Sequence, residues 1–191
     1  MSSAWPPSED LRLVGEFITL SAYRSTDAAE LTDALSEDIV WEYSPQRPTD
    51  PSQWDSYAAK GKSRGRWMWV ARLTSARRGL PAGSVVGCSS YYDVSLDDAH
   101  LTIGYTVYRR EVWRDVANPE TKLLMLKYAF DDRKMARVEF RVDDHNEQSK
   151  AAMLGIGATR EGVLRDHMRR RDGTLRDTVV FSILSNEWPT V

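Results

Sequence analysis

The 191-residue sequence predicts a mixed α/β domain built on one central sheet, and three observations carry this. Arg137–Val142 alternates strictly, with Val138, Phe140 and Val142 facing one way and Arg137, Glu139 and Arg141 the other, between two helical patterns. Arg66–Leu73, Ser84–Asp93 and His100–Tyr108 are strand-like runs joined by short connections with no helical pattern, which reads as an antiparallel meander. Arg165–Arg171 and Thr174–Leu184 flank Asp172-Gly173, a dipeptide suited to the positive φ angles of a tight hairpin.

The elements follow in order. Residues 1–10, with Pro6 and Pro7, read as an extended tail before a domain spanning 11–188. Glu16–Leu20 alternates and predicts a first strand. Asp27 opens a helix with Glu30 as its capping-box partner, and Ala28, Leu31 and Leu35 recur at helical spacing. Pro45, Pro48 and Pro51 interrupt the chain, and a helix resumes over Gln53–Lys60. The meander follows, turning at Leu96–Ala99. Asn118 as N-cap, Pro119 at the first helical position and Glu120 at the positive helix end then start a helix that runs to about Phe130. Asn146 caps a last helix through Leu154, stopped by Gly155 and Gly157. The predicted order is β-α-α-βββ-α-β-α-ββ.

Composition narrows the function. Lys and Arg number 26 against 28 Asp and Glu, so no basic excess favours nucleic acid. No apolar run approaches the ~20 residues that cross a bilayer. The opening MSSAWPPSEDLR has no basic region ahead of an apolar core, so no secretory signal is expected, and the chain is expected in the cytoplasm. A single cysteine, Cys88, excludes an intrachain disulfide, and it reads as a small buried residue rather than a nucleophile. His100, His145 and His167 lack metal-ligand spacing, so no metal is expected. Seven tryptophans read mostly as packing. Trp41 and Trp54, in a polar, Pro-rich stretch, are also candidates for lining a substrate pocket, as are Tyr43 and Tyr91. Exposed tryptophans and the final hairpin could form a homodimer face.

Two strand-to-helix junctions could bind a ligand. Arg109, Arg110 and Arg114 precede the helix at Asn118, whose free N–H groups and dipole suit a phosphate. The other reading is a capped helix with arginines in solvent. Asn146 and Ser149 open the next helix, as a ligand-binding pair or as a cap and an exposed serine.

Taken in order, Leu13-Val14-Gly15, Ile103-Gly104-Tyr105, Asn118-Pro119-Glu120-Thr121-Lys122, Ala129-Phe130, Arg137-Val138-Glu139, Val142-Asp143 with Asn146 and Ser149, Gly157-Ala158, Glu161-Gly162, Leu164-Arg165, Asp172-Gly173, Arg176-Asp177 and Glu187-Trp188 resemble the GNAT N-acetyltransferase superfamily. The likeness spans roughly residues 11–188 and is greatest to the RimJ/RimL-like branch of ribosomal-protein alanine and spermidine acetyltransferases. The resemblance implies a GNAT fold with two splayed parallel strands, His100–Tyr108 and Arg137–Val142, holding acetyl-CoA. It implies acetyl transfer to a primary amine by direct attack, on a protein N-terminus, a polyamine or a small molecule. The alternative is a weakened CoA-binding or regulatory module on the same fold.

The same resemblance implies site residues. Ile103, Tyr105, Thr106 and Val107 border the pantetheine arm. Arg110, Arg114, Val116, Ala117 and Asn118 lie by the pyrophosphate, with Lys122, Asn146, Ser149 and Met153 completing the cofactor set. Two departures stand out. Val116 falls where the family has a glycine, so the loop must hold the pyrophosphate differently. Met153 falls where many members have a proton-donating Tyr, and Ser149 is the nearest replacement. Thr102 replaces a frequent Glu, which leaves His100 on the same strand face as a candidate base. Arg165, Arg176 and Asp177 are expected to form an ion-pair set in the hairpin.

Overall fold

The computed structural model describes residues 5–188. Eight strands form one sheet in the order β1-β2-β3-β4-β5-β6-β8-β7. The strands are β1 (Arg12–Val14), β2 (Ile18–Ala22), β3 (Trp67–Leu73), β4 (Val85–Ser95), β5 (His100–Tyr108), β6 (Arg137–Asp143), β7 (Thr159–Arg169) and β8 (Leu175–Leu184). The helices are α1 (Ala28–Ala34), α2 (Pro51–Lys62), α3 (Ala117–Lys127) and α4 (Glu147–Gly155). Neighbours β1 to β5 pair antiparallel, β5 and β6 pair parallel, and β8 lies antiparallel between β6 and β7. No helix among the described residues is long and apolar enough to cross a membrane.

Each face of the sheet carries its own core, as alternation along the strands requires. On one face Leu20, Trp69, Tyr91, Ile103, Val138, Phe140 and Phe181 pack with Met125 and Leu126 of α3 and with Ala129 just beyond its end. On the other Met68, Val70, Cys88 and Val107 pack with Leu31 of α1 and Trp54 and Tyr57 of α2. Helices α1 and α2 cover only the β3–β5 part of that second face. Over β6 and β7 an ion-pair ladder lies bare instead. Asp93, Arg141, Glu139, Arg137 and Glu161 join it through contacts of 2.5–2.9 Å.

Several boundaries differ from expectation for local reasons. The first strand is two: the chain turns at Gly15 between β1 and β2, where a Cβ would meet Glu120 Oε1 at 2.6 Å and push that carboxylate aside. Helix α2 starts at Pro51, not after it. Asp50 accepts from the N–H groups of Ser52 and Gln53, and a proline fits the first helical position, where no donor is needed. Asp27 stands at the N-cap of α1 as expected, but its side chain makes no capping bond there. It ends a 3-10 turn, accepts from Arg24 N–H at 2.8 Å and pairs with Arg72, as does Glu30. Helix α3 begins two residues early at Ala117, with Val116 and not Asn118 at the N-cap and Pro119 at the third position. A π-turn over Tyr128–Asp132 then extends it. Strand β7 begins at Thr159, six residues before the expected start, as an exposed edge strand whose charged run shows no alternation. Asn146 caps α4 through Ser149 N–H at 2.9 Å. In the stretch read as a tail, Trp5 lays its ring edge-on to Tyr91 at 5.8 Å.

Glu120 bolts α3 to the β1–β2 turn, its carboxylate accepting from Glu16 N–H at 2.6 Å and Phe17 N–H at 2.8 Å. Glu120→Ala is expected to cost about 1–3 kcal/mol by leaving two backbone donors unpaired. Thermal denaturation checks it, and a midpoint unchanged from wild type would show that solvent replaces both bonds.

Candidate functional site

The β5–β6 pairing runs from His100↔Arg137 to Ile103↔Phe140 and stops. The cause lies in β5. Opposite Ser89 of β4 the register slips between Cys88↔Val107 and Ser90↔Gly104, so Tyr105 and Thr106 both face one residue. Tyr105 takes φ +51°, a conformation that costs an L-residue energy and here re-aims the strand. Beyond Ile103, β5 stays with β4 while β6 stays with β8, so the two parallel strands part into a wedge. On its β6 side the backbone of residues 104–107 has no ladder partner.

The floor of the wedge lies on the α3 side. Lys122 of α3 is buried, 4% exposed, and its Nζ donates to Thr106 Oγ1 at 3.0 Å. Thr106 Oγ1 lies 2.8 Å from Ser89 Oγ, and Lys122 Nζ sits 5.5 Å from the Phe140 ring. No carboxylate pairs with Lys122 among the described residues. Burial alone pushes its ammonium down to about 7.

The loop into α3 closes the outer end. Its left-handed residue is Arg114, φ +57°, whereas Val116 is right-handed helical, φ −67°. The glycine-like conformation thus falls two residues before Val116, whose branched side chain sits without strain. Asp115 accepts from Val116 N–H at 2.8 Å and is clamped by Arg77 and Arg78. The Arg77 guanidinium holds its carboxyl far below the usual carboxylate range. The N–H groups of Ala117 and Asn118 have no acceptor among the described residues, and Asn118 Oδ1 is buried without a partner. Of the three arginines, Arg109 pairs with Glu111 and Arg110 with Glu37, while Arg114 has no carboxylate partner among the described residues.

The far face carries Tyr92 and Tyr105 edge to face at 5.0 Å, with Arg66 over the Tyr105 ring at 4.6 Å. Gly104 makes room there, since a Cβ would meet Tyr92 Cε1 at 2.9 Å. Beside them His167 Nδ1 lies 3.1 Å from Thr178 Oγ1, which accepts from Arg176 Nε at 3.0 Å. Partial desolvation, then Arg141 and Arg176, pull the His167 imidazole below its ordinary value. A cleft next to it is lined by Tyr43, Pro45, Asp143, Arg170 and Arg176.

Several sequence expectations are corrected. Trp41 and Trp54 have no exposed surface; they pack 5.8 Å apart in the second core, with Trp41 Nε1 donating to Leu35 O. Tyr91 is also fully buried and pins β4 to α3 by donating to Met125 O at 2.7 Å. None of the three lines a pocket. His100 lies at the closed end of the β5–β6 pairing, three residues or about 10 Å from where the strands part. Thr102 is buried between Tyr92 and Glu139. Arg165, Arg176 and Asp177 form no ion-pair set. Asp143 instead binds Arg170 at 2.8 Å, and Asp177 accepts from Asp166 N–H. Every described tryptophan is buried or half-buried, which removes the exposed-tryptophan dimer face. Cys88 is buried and its thiol pushed up to about 12. Met153 is buried in the α3-side core, and the Ser149 hydroxyl has no hydrogen-bond partner among the described residues. Sequence spacing does not single out His167, because its partners, Thr178 and Arg176, come from the paired strand β8 and not from its own run.

The family model for the acetyltransferase (GNAT) domain matches residues 18–159, a span holding the wedge, α3 and α4. This chain belongs to the GNAT acetyltransferase family. A Bacillus subtilis protein named as a ribosomal N-acetyltransferase, YdaF, is 26% identical over 180 residues, covering 92% of this chain and 95% of its own. That match runs along nearly the whole chain and agrees with the RimJ/RimL-like branch. A crystal structure described as an acetyltransferase from T. thermophilus is 30% identical with a TM-score of 0.80, covering 98% of this chain and 95% of that one. One described as a GNAT-family acetyltransferase from Chromobacterium violaceum is 26% identical with a TM-score of 0.85, covering 99% and 93%. The protein is therefore an N-acetyltransferase, and members of its family generally use acetyl-CoA.

In this GNAT acetyltransferase the buried Lys122 carries a stability cost with a definite sign. Its folded value near 7 lies below the unfolded value of about 10.4, so between them the unfolded chain holds the extra proton. Wild-type stability rises with pH across that window, and the full penalty applies below it. Lys122→Met should raise the melting temperature at pH 6–7 by removing this penalty, a few kcal/mol at about 1.4 per pKa unit. Its advantage should shrink toward pH 10. Calorimetric melts at several pH values check this, and a pH-independent difference would refute the burial account.

Proposed function

We propose that this chain transfers an acetyl group from acetyl-CoA to a primary amine by direct attack of the amine on the thioester. The observation that carries the reading is the parting of β5 from β6. It leaves the backbone edge of residues 104–107 unpaired, and an extended amide-bearing arm can pair with such an edge as a strand would. The loop suits the phosphate end of the same ligand: the Ala117 and Asn118 N–H groups lack acceptors and Arg114 lacks a carboxylate among the described residues. Ile103, Tyr105, Thr106 and Val107 would border the arm, with Arg114, Val116, Ala117 and Asn118 at the pyrophosphate and Asn146 and Ser149 across the wedge. When bound, acetyl-CoA supplies an acyl group activated as a thioester.

The attacking nitrogen must be neutral, and a free ammonium near pKa 10 must lose a proton first. His167 suits that task better than His100. It stands on the face opposite α3, its value is lowered so that it is neutral near pH 7, and Thr178 fixes its ring. The acceptor would approach past Tyr43 and the hairpin cleft. A protein N-terminus is the favoured acceptor class, because the B. subtilis relative is named as a ribosomal N-acetyltransferase.

Titration calorimetry with acetyl-CoA tests the cofactor. Binding in the micromolar range is expected, and no heat at sub-millimolar ligand would overturn the reading. Arg114→Ala should weaken binding about tenfold, the worth of one charge-assisted contact at roughly 1.4 kcal/mol. Thiol release with an N-terminal peptide acceptor tests the base. His167→Gln is expected to lower turnover about a hundredfold while leaving acetyl-CoA affinity alone. Wild-type turnover in that variant would remove His167 from the reaction.

A further inference from the structure

Lys122 is a buried amine that the reading above leaves without a task, and it stands where the reaction would need a proton. Its Nζ donates to Thr106 Oγ1 at 3.0 Å, on the stretch of β5 already parted from β6, and faces the ring of Phe140, the last residue of β6 paired with β5. Thr106 in turn bonds Ser89 at 2.8 Å, so two hydroxyls from β5 and β4 fix the amine, and no charged side chain contributes to its shift. A buried amine without a counter-charge is costly, and packing gives no reason for it, since methionine has nearly the same shape.

We propose that Lys122 is the proton donor to the sulfur that leaves during acetyl transfer, which rests on the acetyl-CoA reading above. As the acceptor nitrogen forms its bond to the acetyl carbon, the C–S bond breaks with its electron pair on sulfur. The Lys122 ammonium gives one Nζ proton to that sulfur, and the electron pair of the broken N–H bond stays on nitrogen, leaving a neutral amine. The proton shed by the acceptor nitrogen on becoming an amide later restores the ammonium.

Acid strength agrees with this role. A group near 7 is protonated in useful fraction at neutral pH and is a stronger acid than a thiol near 8.5, so the transfer runs downhill. The geometry agrees as well. Lys122 Nζ lies over Phe140, which shares the α3-side core with Met153, so an amine from α3 stands on the face of the sheet where Met153 of α4 offers no proton. His167 stands on the other face, which separates the group that takes a proton from the group that gives one.

Three measurements test the assignment without an acceptor. First, the ultraviolet absorbance of the thiolate of bound CoA is followed against pH. A neighbouring ammonium favours the thiolate, so the thiol should titrate at least one unit lower in wild type than in Lys122→Met, tenfold in its acid dissociation constant. Second, the Lys122 Cε resonance is followed in wild type alone, so that no variant need fold. It should titrate higher with CoA bound than with desulfo-CoA, because only the former presents a thiolate to hold the proton. Third, intact mass after incubation with acetyl-CoA should show no acetyl group on Lys122.

Equal thiol titrations, a Lys122 resonance indifferent to the sulfur, or acetylation of Lys122 itself would each overturn the proposal, the last by making the amine a nucleophile. Calorimetry separates the two readings. CoA that binds without these signatures defeats the role of Lys122 alone, whereas CoA that does not bind defeats both.

Discussion

Where Ser89 of β4 faces both Tyr105 and Thr106 of β5, the strand turns from β6 and the sheet opens along one seam. The rest of the site depends on that mismatch. It ends the parallel pairing at Ile103, frees the backbone edge beyond it and swings Thr106 over Lys122. It also exposes the Tyr105 ring on the far face, where Gly104 lets Tyr92 lie against the strand. A bulge is a local backbone event, but here it fixes which side chains meet across three strands and a helix. The bolt from Glu120 to the β1–β2 turn and the pin from Tyr91 to Met125 hold α3 at the distance the opening requires.

Charge is distributed with the same economy. The chain is nearly neutral, yet the sheet divides its charges sharply by face. On the α3 side the Lys122 amine is buried beside Phe140 and the Thr106 hydroxyl, whereas the bare part of the other side carries a continuous ladder from Asp93 to Glu161. Exposed pairs of this kind contribute about 0–1 kcal/mol each, so the ladder is better understood as a polar surface of fixed geometry than as a source of stability. Asp115 is the exception. Buried in the loop before α3, its carboxylate is clamped by both Arg77 and Arg78, which ties the loop to the β3–β4 connection.

The elements governed by local rules were legible in the sequence. Strict alternation marked β6, the Asp-Gly turn marked the hairpin, and Asn146 capped its helix as its chemistry demands. The ordered motifs also pointed to the family. What the sequence hid was set by distant partners. Tryptophans in a polar, Pro-rich stretch looked available to a ligand, but Trp41 and Trp54 meet each other across a turn and a helix and leave solvent entirely. Asn118 had the chemistry of an N-cap, but α3 had already begun at Ala117, because the Asp115 carboxylate engages the preceding N–H. Val116 looked like a fault in the loop only because the residue that takes the left-handed turn, Arg114, could not be identified without backbone angles. His167 and Lys122 derive their character from burial and from neighbours on other elements, which no spacing records.

The placement of β8 bears on the order in which the molecule can assemble. It is the last of the described strands in chain order, yet it lies inside the sheet and pairs with β6 from Arg137↔Leu184 to Asp143↔Thr178, nearly twice the length of the β5–β6 contact. Until residues 175–184 leave the ribosome, β6 is held on one side only and by its shorter seam. The opening between β5 and β6 thus acquires its back wall only after β8 has been made. A nascent chain can bury the second core around α1 and α2, whose buried members end at Val107, before β8 brings Val179, Phe181 and Ile183 to the first core, so the two cores are completed at separate times.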